Sequence, residues 1–459
     1  MALIKSISGI RGTIGAQPGE NLTPIDIVEC TAGFAQWIIK SGAPHKVVVG
    51  RDGRISGEMV SQLAVQTLIS MGMEVIDLGL STTPTVEMAV PLEGAGAGII
   101  FTASHNPKQW NALKFLSQTG EFISAAVGQE IIDTIDSGKL HFADVDSLGS
   151  YRKMVGYIDK HIDILLDLPY VNIDLVKSKN FHVVVDCINS TGAISIPPLL
   201  DKLGVTYTLI NEEVNGQFAH NPEPLPAHLI ELSKTIQKEK AHLGISVDPD
   251  VDRLAFVNED GSMFGEEYTL VAVADYVLSK RKGNTVSNMS STRALRDITE
   301  KAGGEYFASA VGEVNVVNQM KAKNAVIGGE GNGGVIFPDL HYGRDSLIGI
   351  ALVLSHMAQT GMSAKTLRNS YPQYHISKNK IELTPEIDVD LILEKMGEKY
   401  ANENVNTIDG VKIDFAEEWV HLRKSNTEPI IRIYSESANE EKAEQLAKKI
   451  ISEIKEIIA

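Results

Sequence analysis

The chain has 459 residues, 43% hydrophobic and 22% charged, with 42 Lys+Arg against 59 Asp+Glu and a net charge of −17. That length asks for several domains, and the acidity argues against nucleic-acid or anionic-membrane partners. Cys30 and Cys187 form neither a disulfide framework nor a metal motif, MALIKSISGIRG has no signal-peptide core, and no apolar run nears the ~18 residues of a span, so the expected setting is cytoplasmic.

In chain order, KVVVG (46–50), EVIDLG (74–79) and AGAGIIF (95–101) read as strands. They are separated by helical segments, SGEMVSQLAVQTLISMG (56–72) and TPTVEMAV (83–90), with Thr83 expected to cap before Pro84. This βαβαβ rhythm predicts parallel pairing. It restarts with FHVVVDC (181–187), VTYTLI (205–210) and HLGISVD (242–248), and again with LAFVNEDG (254–261), NTVSNMS (284–290) and AVIGGEGNGGVIF (325–337). A long helix follows at 346–361. The last stretch, with strands at 375–383, 410–425 and 429–437 and a helix at 440–458 capped by Asn439, reads as a small α+β domain. The expected architecture is three similar mixed or parallel-sheet α/β domains (1–150, 151–255, 256–370) and a smaller C-terminal α+β domain (371–459), with no residue-level repeat.

Four segments carry chemistry. TASHNP (102–107) holds Ser104 straight after a strand. It lacks the G-x-S-x-G of a hydrolase elbow. Successive residues of extended chain point to opposite sides, so His105 is not expected to serve as its base. Ser104 is either a turn or cap serine or a phosphorylated group needing cations. In DPDVDR (248–253), Asp248, Asp250 and Asp252 alternate after an apolar strand and would repel without a hard cation such as Mg²⁺. An EF-hand fails because Arg253 stands where glycine is required; a solvated acidic turn is the plain alternative. Arg253 could hold a phosphate bridging to the metal. RKSNTEPIIRIYSE (423–436) gathers Arg423, Ser425, Asn426, Thr427 and Arg432, a phosphate-gripping set or a cap cluster. GGEGNGG (328–334) sets Glu330 and Asn332 two apart, facing sugar hydroxyls or closing a plain glycine turn. Smaller signals are Arg11 in SGIRGTIG (8–15), GRDGRISG (50–57) and Lys114 in NALK (111–114).

Together these segments resemble the α-D-phosphohexomutase family over nearly the whole chain. The resemblance implies four domains around a central cleft, Ser104 as phosphoserine, and Mg²⁺ held by Ser104, Asp248, Asp250 and Asp252. It implies that Glu330 and Asn332 read the sugar, and that Arg423, Ser425, Asn426, Thr427 and Arg432 hold the non-reacting phosphate. Arg11, Lys114 and Arg253 match positions that assist transfer, and a hexose 1,6-bisphosphate is the implied intermediate and activator. A C-terminal domain closing like a lid, and a monomer or homodimer, are expected. Departures are Gly334 and Glu313, each where some relatives have histidine, so the proton carriers are Lys114 and Arg11, with Glu313 third. NMSST (288–292) lacks the lysine of mannose-type members, which with SGIRGTIG points to glucosamine 6-phosphate and 1-phosphate. Glucose or mannose phosphate is the runner-up; a non-catalytic sugar-phosphate sensor and a phosphatase are the rivals from other classes.

Overall fold

The computed structural model describes residues 3–6, 9–382, 388–424 and 430–458. The first sheet contains β1 (Leu3–Ser6), β2 (Gly9–Thr13), β3 (Lys46–Arg51), β4 (Glu74–Leu80), β5 (Ala97–Phe101), β6 (Trp110–Leu116) and β7 (Ser150–Lys153), in the order β1-β2-β6-β5-β3-β4-β7. β3, β4, β5 and β7 run parallel, and β6 returns antiparallel to β5. In β3 and β5, alternate residues enter opposite layers. Val47, Val49 and Ile99 pack under helices Pro24–Ser41 and Gly57–Ser70, while Val48 and Ile100 pack under helix Thr83–Leu92. Each such fully buried aliphatic contributes about 1.5–3 kcal/mol of transfer free energy.

The second sheet holds β8 (His182–Asp186), β9 (Thr206–Ile210), β10 (Leu243–Val247) and β11 (Leu254–Asn258), ordered β11-β10-β8-β9. The third holds β12 (Asn284–Asn288), β13 (Tyr306–Ser309), β14 (Ala325–Glu330) and β15 (Gly334–Ile336), ordered β13-β12-β14-β15. In both, three parallel strands end in an antiparallel return, β11 on β10 and β15 on β14. The β6-β5-β3-β4 part of the first sheet has the same order. The loops that carry TASHNP, DPDVDR and GEGNG therefore occupy one equivalent position, between the last parallel strand and its return. This is the carboxyl end of a strand, where ligands bind in such sheets.

The structure departs from the sequence reading at several points. Residues 254–258 belong to the second sheet, not a third unit, so residue 255, an expected boundary, lies inside β11. Residues 325–337 are a hairpin rather than one run. Strand-like composition does not reveal an antiparallel return. The cap of helix Thr83–Leu92 is Thr82, whose hydroxyl accepts from Thr85 N–H at 3.2 Å.

Helix Ser346–Thr360 is buried on every side from Ser346 to Ala358. It lies in one continuous core that spans the second and third sheets, whereas the first and fourth units have cores of their own. The fourth sheet is antiparallel, ordered β16-β20-β19-β18-β17, from β16 (His375–Glu382), β17 (Asn404–Asn406), β18 (Val411–Asp414), β19 (Trp419–Lys424) and β20 (Ile430–Ser437). Helices Val389–Lys399 and Glu440–Ile458 cover it, and Asn439 accepts from Lys442 N–H at 2.9 Å as the expected cap. Among the described residues, no helix is long and apolar enough to cross a membrane.

Candidate active site

The buried end of β5 delivers the chain to Ser104. Thr102 Oγ1 donates to Asp52 Oδ2 at 2.7 Å and accepts from Ser104 N–H at 2.9 Å. Ser104 takes φ +48, the left-handed region that side chains resist. The loop that holds this conformation is pinned by Arg54, which is 1% exposed. Its Nε donates to Asp52 Oδ2 at 3.0 Å, and its terminal nitrogens donate to the carbonyls of Ser104 (2.5 Å), Asn106 (2.7 Å), Pro107 (2.9 Å) and Trp110 (3.0 Å). All five N–H groups of the guanidinium have acceptors. GRDGRISG, a minor signal in the sequence, is thus the clamp of the serine loop.

Ser104 Oγ donates to Asp248 Oδ2 at 2.6 Å. His105 Nδ1 also lies 3.3 Å from Ser104 Oγ. The expectation that His105 points away fails because the loop is coiled at Ser104 rather than extended. Burial, then the Arg253 charge, hold the His105 imidazole well below its usual pKa, so it faces the hydroxyl as a neutral ring.

The aspartate loop is folded by a second left-handed residue, Val251 at φ +62. Asp248 Oδ1 accepts the N–H groups of Asp252 and Arg253, each at 3.1 Å, which turns Oδ2 toward Ser104. Asp248, Asp250 and Asp252 are 0% exposed, and ligand oxygens of the three lie within 4.8 Å of one another. Asp250 Oδ1 and Asp252 Oδ1 are buried with no hydrogen-bond partner among the described residues. Burial and the neighbouring Asp250 and Asp252 charges push the Asp248 carboxyl well up. Burial works the same way on Asp250, but the Lys114 ammonium and the Thr83 hydroxyl overcome it and hold that carboxyl down. An all-oxygen set with orphaned lone pairs fits a hard divalent cation.

Cations close the rim. Lys114 Nζ lies 3.0 Å from Asp250 Oδ2 and 3.7 Å from Asp252 Oδ2. Arg253 reaches Glu223 Oε1 at 3.3 Å. Arg11, on β2, faces Ala112 across the strand pair; burial and Arg253 lower its pKa, and its buried Nε has no partner among the described residues. The sequence missed the central cation, Arg344. It is 8% exposed and grips Asp252 Oδ2 (2.7 Å), Glu313 Oε2 (2.9 Å) and Glu330 Oε2 (3.0 Å). No motif in HYGRDS marks it; its role comes from which carboxylates the fold gathers round it. Glu330 Oε1 also accepts from Asn288 Nδ2 (2.8 Å) and Gly312 N–H (3.0 Å), whereas Asn332 Oδ1 closes its own turn onto Gly334 N–H at 3.2 Å. Glu330 therefore joins the network and Asn332 does not.

Residues 3–141, 157–261, 265–374 and 382–453 match in turn the families described as phosphoglucomutase/phosphomannomutase alpha/beta/alpha domains I, II and III and C-terminal domain. A phosphoglucomutase/phosphomannomutase of Thermococcus kodakarensis is 33% identical over 441 residues, 95% of this chain and 96% of that protein. The chain belongs to the phosphoglucomutase/phosphomannomutase family. As a member it is a phosphohexomutase, an isomerase. A phosphoglucosamine/phosphogalactosamine mutase of Sulfurisphaera tokodaii is 32% identical, covering 100% of this chain and 99% of that protein. The crystal structure of a phosphoglucomutase/phosphomannomutase family protein from Burkholderia thailandensis shares the fold, with a TM-score of 0.85 at 24% identity over 99% of this chain and 98% of that one.

In this phosphohexomutase, Arg423 on β19 and Arg432 on β20 are cross-strand neighbours, one on each side of residues 425–429 in the chain. Ser425, Asn426 and Thr427 lie outside the described residues. The fourth domain meets the third through the 288–292 loop. Lys412 Nζ donates to Met289 O at 2.9 Å, Ser290 Oγ meets His421 Nδ1 at 2.9 Å, and Arg293 N–H donates to Glu436 Oε1 at 3.0 Å. The segment that lacks a lysine of its own thus receives an ammonium from the C-terminal domain.

Proposed function

We propose that the protein interconverts glucosamine 6-phosphate and glucosamine 1-phosphate through a phosphoserine at Ser104 and a glucosamine 1,6-bisphosphate intermediate. The observation that carries this is the Ser104 hydroxyl set against Asp248 inside the aspartate cluster. Phosphoryl transfer is mostly positioning and charge stabilisation, and both are built here. Asp248, Asp250 and Asp252 would hold Mg²⁺; the ion would neutralise charge on the serine phosphate as the group moves.

The sugar O1 hydroxyl attacks the phosphorus of phosphorylated Ser104. The new P–O bond forms as the bond to Oγ breaks, and the hydroxyl proton passes to a base. The bisphosphate then passes its 6-phosphoryl group to Ser104 Oγ; the P–O6 bond breaks, O6 takes up the proton that the base removed, and the phosphoserine is restored. Lys114 and Arg11 are poor bases. Lys114 is held protonated by Asp250 and Asp252 despite its burial, and arginine does not deprotonate. Glu313, ranked third from the sequence, takes the proton instead: burial raises its pKa against the pull of Arg344, to about 7. Lys114, Arg11 and Arg253 stabilise the transferred group. Arg423 and Arg432, with Ser425, Asn426 and Thr427, hold the other phosphate, and the C-terminal domain closes to exclude water.

The amine preference is supported by carboxylates. Glu330 is 4% exposed and Glu313 8% exposed. A C2 ammonium beside them gains a charge-assisted bond that a hydroxyl lacks. The similarity to a phosphoglucosamine/phosphogalactosamine mutase along the full chain points the same way; the equal similarity to a phosphoglucomutase/phosphomannomutase keeps glucose and mannose phosphates as the second reading. Measuring kcat/KM for the 6-phosphates of glucosamine, glucose and mannose decides between them. The proposal fails if the glucosamine compound is the poorest of the three.

A further inference from the structure

Behind the active site, a second cluster of donors lies where the first three units meet. His161 comes from helix Tyr157–Leu166, His341 and Asp345 from the segment leading into helix Ser346–Thr360, and Thr85 and Glu87 from helix Thr83–Leu92. His161 Nε2 lies 2.9 Å and His341 Nε2 3.3 Å from the same atom, Asp345 Oδ2. Ligand atoms of the three residues all fall within 4.8 Å of one another. Asp345 Oδ1 points elsewhere, accepting Leu347 N–H at 2.8 Å and Ile348 N–H at 3.3 Å as the helix cap, so the carboxylate is fixed in orientation.

The outer contacts are equally ordered. His161 Nδ1 sits 3.0 Å from the Thr85 hydroxyl, and His341 Nδ1 faces Glu87 Oε2 at 3.6 Å. Glu87 is 2% exposed, and neither of its carboxylate oxygens has a hydrogen-bond partner among the described residues. A Cβ at Gly343 would stand 1.9 Å from Glu87 Oε2, so that glycine leaves room for the carboxylate to reach the histidine. Two arrangements of the imidazole protons fit these contacts. If both Nε2–H groups donate to Asp345, the bare Nδ1 lone pair of His341 faces Glu87. If instead both Nδ1 atoms carry the protons, that of His161 donates to the Thr85 hydroxyl, that of His341 points toward the Glu87 carboxylate 3.6 Å away, and both Nε2 lone pairs converge with Asp345 Oδ2 on one point. That is the tautomer pattern of metal-bound imidazoles with an outer carboxylate.

We propose that His161, His341 and Asp345 form a second cation site, for a borderline transition-metal ion such as Zn²⁺, oriented by Glu87 and Thr85 and tying the three α/β units together. Two imidazoles and one carboxylate suit zinc, whereas the all-aspartate loop suits Mg²⁺. Its donors are distinct from those of the aspartate loop, although Asp345 directly follows Arg344 in the chain. Its failure would leave the mutase reading intact.

The test uses the full chain, stripped with a chelator and held in excess Mg²⁺ to occupy the aspartate loop, then titrated with Zn²⁺ by calorimetry. One equivalent should bind, and thermal denaturation should shift upward. The Asp248→Asn, Asp250→Asn double variant should keep that isotherm, and the His161→Gln, His341→Gln double variant should lose it. Glu87→Gln should weaken Zn²⁺ about ten- to a hundredfold through the lost outer carboxylate. X-ray absorption at the zinc edge of the wild-type chain needs no variant and should count two imidazole nitrogens at about 2.0–2.1 Å. The proposal is overturned by a zinc environment without imidazole, by binding that survives the histidine changes or vanishes with the aspartate changes, or by a constant indifferent to Glu87→Gln.

Discussion

Ser104 Oγ and Asp248 Oδ2 meet at 2.6 Å although 144 residues separate them in the chain. Two loops make the meeting, one from the first sheet and one from the second, each bent by a left-handed non-glycine residue. Backbone strain of roughly 1–3 kcal/mol per residue persists where the surroundings over-determine it; here the strained Ser104 brings its own hydroxyl, and the turn at Val251 brings the Asp248 carboxylate, to one point. Ser104→Ala should therefore abolish mutase turnover while sugar-phosphate binding, measured by calorimetry, stays within a few-fold. Intact-mass analysis of the wild-type chain should show an adduct of about 80 Da that maps to Ser104. Stoichiometric release of inorganic phosphate would instead mean a phosphatase, and equal loss of binding in the alanine variant would mean that Ser104 holds substrate rather than donating to it.

Arg54 touches no reacting atom, yet it fixes the loop that does. Its neighbours are Asp52 and four backbone carbonyls, and no lysine can satisfy them all from one ammonium. Arg54→Lys should lower kcat about a hundredfold, the usual consequence of displacing a reacting group by ~1 Å, with substrate Kd nearly unchanged. Arg54→Ala should destabilise the fold by about 3–5 kcal/mol, because Asp52 is left as a buried unpaired charge. Denaturant unfolding of both variants, beside their kinetics, separates the two effects. A lysine variant with full kcat would remove Arg54 from the positioning role.

The sequence made the ends of strands legible and left their directions hidden. Asp248, Asp250 and Asp252 could be read as a cation loop because three carboxylates in five positions have few other stable fates. Arg344 could not, because its partners Asp252, Glu313 and Glu330 come from distant segments. The same holds for Arg54, whose acceptors are carbonyls and carry no side-chain signature. β11 and β15 were missed as returns because a strand's composition does not state whether its neighbour runs parallel. Lys114 is a minor signal in the sequence that takes its role from the resemblance, and the Asp250 and Asp252 carboxylates beside it hold it protonated, which removes it as a base.

Arg423 and Arg432 stand opposite each other on β19 and β20. Cross-strand neighbours lie on one face of a sheet, where a phosphate can accept from both guanidinium groups in forked geometry. Arg423→Ala should raise substrate KM about ten- to a hundredfold, the loss of one or two charge-assisted hydrogen bonds, with a smaller change in kcat. Inorganic phosphate should protect the wild-type chain from thermal unfolding more than the variant. An unchanged KM in Arg423→Ala would take the phosphate role away from this strand pair.

Glu313 sets the pH response. Burial raises its pKa; Arg344 opposes the rise, and the nearby Asp252 and Glu330 charges reinforce it, leaving the group at about 7 against an ordinary 4.5. A base works only when ionised, so under the proposed role of Glu313 kcat/KM should fall as pH drops through about 7. Glu313→Gln should remove that limb and cost about 10²–10⁴ in rate. Stability gives an independent readout with a definite sign. Between the ordinary and raised pKa the folded chain holds a proton that the unfolded chain has released, so unfolding free energy should decline as pH rises across that window and level off above it. In Glu313→Gln the decline should shrink, because glutamine has no proton to release. A variant that keeps both the acid limb of the rate profile and the slope of stability with pH would show that the titrating group is another residue.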